Sequence, residues 1–127
     1  RVKLKKLNLW NNRRKTIAKR YLNDLIGISD LQLPIVEDWA DPVWHLFVVQ
    51  SKKRDALVKY LNEFNVSTLI HYPVPPHLSE AFKNMKFKIG DFPITERLSN
   101  SVLSLPIGPH LVLAHLEHVI STLSINN

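Results

Sequence analysis

Apolar positions recur every three or four residues along the start of the chain. Leu4, Leu7 and Trp10 step by three, Ile17, Tyr21 and Leu25 step by four, and Ala18 and Leu22 lie beside them. That period predicts one long amphipathic helix, from about Val2 to Leu25. No capping residue precedes it, so we expect the chain to be a piece of a longer polypeptide.

After Gly27 the pattern loosens around Pro34, Asp38, Asp41 and Pro42. The run Val43-Trp-His-Leu-Phe-Val-Val-Gln50 is rich in β-branched and aromatic residues and predicts a strand. Ser51 punctuates it, and residues 52–64 then place Leu57, Val58, Leu61 and Phe64 on one helical face. Asn62, Glu63 and Asn65 mark the polar side and the stop of this helix. A second strand is expected at about Ser67 to His71, a short helix over His77 to Phe82, and another after Pro93. Val102 to Leu105 reads as a third strand, and Leu113, Leu116, Ile120 and Leu123 form the stripe of a terminal helix whose last residues are expected to fray. The pattern is α+β: one small sheet of about three strands, covered on one side by helices, in a single domain of 127 residues.

The segment Ile70-His-Tyr-Pro-Val-Pro-Pro-His77 stands apart from this periodicity. An apolar strand runs into His71 and Tyr72, and three prolines then fix φ and remove backbone donors, so the strand exit is stiff. Two polar aromatic side chains are thereby held where sites are commonly built on such scaffolds. The same residues also suit a surface turn that only caps the core. His77, beyond the rigid loop, can line the same entrance or cap the short helix that follows.

Composition excludes several classes. Hydrophobic residues at 45% and charged residues at 22% are ordinary for a globular protein, and no apolar run approaches the roughly 18 residues that span a bilayer. The first residues have no apolar stretch of the secretory kind behind them, so a cytoplasmic location and no membrane partner are expected. The absence of cysteine removes disulfides and thiolate metal sites. Six histidines raise the question of a metal, and His115 and His118 would share a helix face. No third ligand falls at an obvious spacing, and we assign no metal site.

The net charge of +6 is unevenly placed: residues 1–23 hold nine Lys or Arg and no acid, whereas the remainder holds eight bases and eleven acids. The basic segment can bind phosphates through counterion release, or it is the solvated face of a helix, or one that lies against an acidic neighbour. A non-catalytic, basic nucleic-acid-binding domain is thus one alternative function. It lacks a helix-turn-helix pattern, an aromatic sheet motif and zinc ligands, so no nucleic-acid partner is expected.

Taken in order, Arg13-Arg14, Tyr21, Leu25, His45-Leu-Phe-Val-Val49, Arg54-Asp55, Leu61, Val66-Ser-Thr-Leu-Ile-His-Tyr-Pro-Val-Pro-Pro-His77, Gly90-Asp-Phe-Pro93, Glu96-Arg-Leu98 and Val102-Leu-Ser-Leu-Pro-Ile107 form a pattern covering nearly the whole chain. It resembles the carboxy-terminal part of the DegT/DnrJ/EryC1/StrS sugar aminotransferases. The resemblance implies the small domain of a fold-type-I enzyme, with residues 1–25 as the helix that joins it to a larger domain. It further implies a homodimer using pyridoxal 5'-phosphate to move an amino group, typically from glutamate, onto a nucleotide-linked keto sugar, in amino-sugar or surface-polysaccharide (lipopolysaccharide) biosynthesis. A sugar dehydratase using the same cofactor is the alternative within the family. The family's Schiff-base lysine and its cofactor-pairing carboxylate match nothing here, so we assign no catalytic residue and expect the chain alone to be inactive and free of cofactor. The resemblance carries over to His71 and Tyr72 as substrate-binding residues, with Pro73 holding the turn and His77 as a further candidate. Imidazole and phenol suit such a role because each can hydrogen-bond a sugar hydroxyl or phosphate.

Overall fold

The computed structural model describes residues 1–125 of the chain; the expected fraying of the last residues lies outside them. A 3₁₀ turn at Lys3–Lys6 leads into α1, Leu7–Asp24. Strand β1 is Phe47–Gln50, α2 is Arg54–Glu63, α3 is Pro93–Ser101, β2 is Val102–Leu105 and α4 is Leu113–Ile125. Two more 3₁₀ turns, Pro76–Leu78 and Glu80–Met85, occupy the stretch expected to be a short helix.

The α+β class is as expected, but the regular sheet has two strands rather than about three. β1 and β2 pair antiparallel, with Phe47 opposite Leu105 and Val49 opposite Leu103. Each outer edge carries a single further bridge, Gln32 to Gln50 on β1 and Leu69 to Ser104 on β2. Neighbouring residues explain why the Leu69 segment stops there. The next bonded positions along an antiparallel pair lie two residues away on either side. On one side stands Pro106, which has no N–H to give and whose carbonyl accepts the Tyr21 hydroxyl at 2.8 Å. On the other stands Val102, whose N–H is already donated to the Leu98 carbonyl at the end of α3 and whose carbonyl accepts from Arg54 Nη1 at 3.3 Å. Pro34 limits the Gln32 bridge in the same way, two residues on.

β1 also starts later than the composition suggests. Trp44 has a φ of 53°, outside extended geometry and uncommon for a bulky residue, so the ladder begins only at Phe47. The Trp44 ring packs instead on Phe47, centroids 5.3 Å apart. Gly27, at φ 80°, turns the chain out of α1, and Asn65, at φ 59°, ends α2 with Val66 N–H donating back to the Leu61 carbonyl at 2.8 Å.

One face of the sheet, Phe47, Val49, Leu103 and Leu105, forms the core with Ile17, Ala18, Tyr21 and Leu25 from α1 and its end, Leu57 and Leu61 from α2, and Leu116, Val119 and Leu123 from α4. Among the described residues these helices pack on that side of the sheet. The α4 stripe is rotated from the expected one: Val119 and Thr122 are buried, while Leu113, the first residue of the helix, is exposed. Leu4 and Leu7 of the predicted α1 stripe are exposed too, so only the second half of that helix packs on this core.

Arg54 fastens α2 to the junction of α3 and β2. It is buried, donating from Nη1 to the carbonyls of Ser99 at 3.1 Å and Val102, with Nε on Asp55. Asp30 ties the same end of β1, where the strand leads into α2, accepting from Ser51 Oγ at 2.7 Å and from the Lys52 and Lys53 amides.

Candidate functional site

Alternation along a strand puts Leu69, His71 and Ser104 on the face of the sheet turned away from the helices. There His71 Nδ1 lies 3.0 Å from Ser104 Oγ. Ser104 is buried, the lone polar residue in the run Val-Leu-Ser-Leu of β2, whereas His71 is exposed. The hydroxyl orients the ring so that Nε2, without a partner among the described residues, is free to meet a ligand. If Ser104 donates to Nδ1, Nε2 carries the proton and donates outward; in the other tautomer it accepts.

Tyr72 follows, 69% exposed, with no hydrogen-bond partner for its hydroxyl among the described residues. Pro73 comes next and Val74 is exposed beside it. Leu69, 58% exposed, lies on the same face as His71, and Tyr72 is the exposed residue that follows it in the chain.

His77 is held elsewhere. It is buried within the 3₁₀ turn Pro76–Leu78, its Nε2 3.1 Å from Glu96 Oε1, and its ring packs on Phe92 and edge-on to Phe87, centroids 4.8 and 6.3 Å away. Glu96 also accepts from the amide of Gly90 at 2.8 Å and that of Phe92 at 3.4 Å. Those bonds, led by the one from Gly90 and helped by His77, hold the Glu96 carboxyl below the usual range against the opposing effect of burial. The group is a clamp that folds the segment around Phe87 and Phe92 onto the start of α3. Of the two roles open for His77, entrance lining and helix capping, this placement serves neither directly. Ser79 precedes the next 3₁₀ turn and makes no side-chain cap there.

Sequence reasoning missed Ser104 and Glu96 as partners of the two histidines. The signal for Ser104 was its polarity within an apolar strand; Glu96 gives none, since its role depends on a loop brought back from six residues upstream. His118, weighed for metal, donates from Nε2 to the Phe64 carbonyl at 2.8 Å. None of the lysines is buried among the described residues, and Lys15, half-buried, is paired with Asp41 at 2.6 Å. The described residues therefore do not fit pyridoxal phosphate by themselves, because imine chemistry needs a desolvated lysine.

Comparison with known proteins gives the class. The profile of the DegT/DnrJ/EryC1/StrS aminotransferase family matches residues 1–124. The chain is 48% identical over 123 residues to the erythromycin biosynthesis sensory transduction protein EryC1 of Saccharopolyspora erythraea, covering 97% of this chain and 34% of that protein. It is 45% identical over 111 residues to dTDP-3-amino-3,4,6-trideoxy-alpha-D-glucose transaminase of Streptomyces venezuelae, covering 87% and 29%. Among solved structures, S. venezuelae DesV in complex with a ketimine intermediate superposes with a TM-score of 0.93 at 43% identity, over 96% of this chain and 33% of that one. A family aminotransferase from Brucella abortus superposes with a TM-score of 0.87 at 28% identity, over 98% and 33%. The chain belongs to the DegT/DnrJ/EryC1/StrS aminotransferase family, and it spans about a third of the length of the relatives it matches.

Proposed function

We propose that this chain is the carboxy-terminal small domain of a pyridoxal phosphate-dependent nucleotide-sugar aminotransferase, acting as a cytoplasmic homodimer. The likeness to the S. venezuelae transaminase, at 45% identity, carries this reading. A second transaminase, from Aneurinibacillus thermoaerophilus, is 41% identical over 123 residues and is named for dTDP-3-amino-3,6-dideoxy-alpha-D-galactopyranose. Both names give a dTDP-linked 3-amino deoxyhexose, so we take a dTDP-linked 3-keto deoxyhexose as the substrate class and glutamate as the amino donor. These names favour amino transfer over the dehydration some relatives perform. The amino sugar would serve a surface polysaccharide or another glycosylated product.

The cofactor, when bound, supplies the electron sink for amino transfer. In our reading its lysine and carboxylate come from chain outside these residues. This domain contributes orientation: His71 and Tyr72 meet the sugar hydroxyls or the phosphate, with Ser104 fixing the His71 ring. His77, tied to Glu96, supports the loop rather than touching substrate.

The test is made in the full-length protein. His71→Ala and Tyr72→Phe should each lower kcat/KM for the sugar half-reaction by roughly 3- to 150-fold, the range for losing one neutral or charge-assisted hydrogen bond. The glutamate half-reaction and cofactor binding should be little changed. Unaltered sugar turnover in both variants, or loss of cofactor binding instead, would overturn the orienting role.

A further inference from the structure

A second group of polar side chains converges away from His71. Trp10 and Arg14 of α1, His45 just before β1, and His110 in the turn between β2 and α4 line one cavity of about 300 Å³. No carboxylate is among its lining residues. Trp10 and Arg14 are four apart and therefore neighbours on the helix surface. Arg14 spends one donor, from Nη1 to Asn11 Oδ1 at 3.1 Å, and has no acidic partner among the described residues. His45 and His110 have no hydrogen-bond partners among the described residues.

Gly108 adds an independent observation. Its φ is not positive, so backbone freedom does not require glycine there; a side chain would displace the outer end of the exposed His110 ring. A Cβ at that position would stand 2.6 Å from His110 Cε1 and 2.9 Å from its Nδ1. The missing side chain lets the His110 imidazole approach the backbone of Gly108 at the cavity wall.

We propose that this cavity is a phosphate-binding subsite. The guanidinium is planar and its remaining N–H groups match phosphate oxygens, and each imidazole can add an N–H donor. The surrounding charge favours an anion, since residues 1–23 carry nine bases and no acid. The Trp10 indole offers a flat surface on which the base of a nucleotide can stack. The subsite is independent of the role given to His71, and binding alone tests it.

The probes are inorganic phosphate and a nucleoside diphosphate, titrated into the chain at constant ionic strength with chloride as the control. The readouts are the Trp10 indole N–H and the ring C–H signals of His45 and His110 by NMR. Saturable shifts of these signals are expected with phosphate and not with chloride. Arg14→Gln should weaken binding by about tenfold or more, the loss expected for a charge-assisted hydrogen bond. Gly108→Ala, which leaves every donor in place but displaces the His110 ring, should weaken it as well. Tighter binding of the diphosphate assigns a nucleotide to the subsite, and equal binding assigns a lone phosphoryl group; both support it. No saturable shift with either probe, or affinity unchanged in a folded Arg14→Gln variant, would overturn it.

Discussion

Ser104 Oγ and His71 Nδ1 stand 3.0 Å apart across the edge of β2, 33 residues apart in the chain. The contact exists because a single bridge, Leu69 to Ser104, fixes the register, and strand alternation then turns both side chains to the same face. A residue buried in the sheet thereby sets the ring orientation of an exposed one.

Removing that hydroxyl should be felt at the ring. In the full-length enzyme, Ser104→Ala is expected to lower kcat/KM for the sugar substrate by about 2- to 12-fold, the equivalent of one neutral hydrogen bond. Ser104→Thr, which keeps the hydroxyl and suits a strand, should restore most of the loss. The ¹⁵N shifts of His71 report its tautomer balance, which should change in the alanine variant. An unchanged tautomer balance with reduced activity would point to an effect on packing instead.

The clamp at Glu96 should loosen in acid. A carboxyl held below its ordinary value adds stability that is complete above that value and disappears as pH falls through the lowered one. The Gly90 and Phe92 amides should therefore stay protected at neutral pH, begin to exchange faster below about pH 4.3, and lose the contribution of Glu96 at still lower pH. Hydrogen exchange at Gly90 measures this directly. In Glu96→Gln the protection should be weaker at neutral pH and the acid dependence should flatten.

Tyr21 should resist ionisation. It is fully buried, donates to the Pro106 carbonyl at 2.8 Å, and burial pushes its pKa upward. Its contribution to stability is complete below the ordinary tyrosine value of about 10 and falls as pH rises beyond it. Ultraviolet titration of the folded protein should show one of the three tyrosines ionising only with unfolding. Tyr21→Phe removes the phenol and should cost about 1–2 kcal/mol in denaturant unfolding, since it leaves the Pro106 carbonyl short of a donor. A variant as stable as the wild type would mean that water replaces that bond.

The helices were legible in the sequence because a helix is built from local bonds and its buried face repeats every three or four residues. Ile17, Tyr21 and Leu25 announce their side without reference to the rest of the chain, as do Leu57 and Leu61. The order of elements, the strand at Val102 to Leu105 and the stiff exit after Tyr72 followed from the same local chemistry, and the ordered pattern of residues identified the family. Tertiary structure decided what depends on distant partners. The strand expected at Ser67 to His71 shrank to one bridge because Pro106 has no N–H to give and the Val102 N–H is already donated to the Leu98 carbonyl at the end of α3. His71 and His77 look alike in the sequence, six residues apart around three prolines. One is exposed on Ser104 and the other buried on Glu96, because the first lies on the sheet face turned away from the core helices while the second is folded under Phe87 and Phe92. Burial of that kind is set by which segments return to the same place, and no local periodicity encodes it.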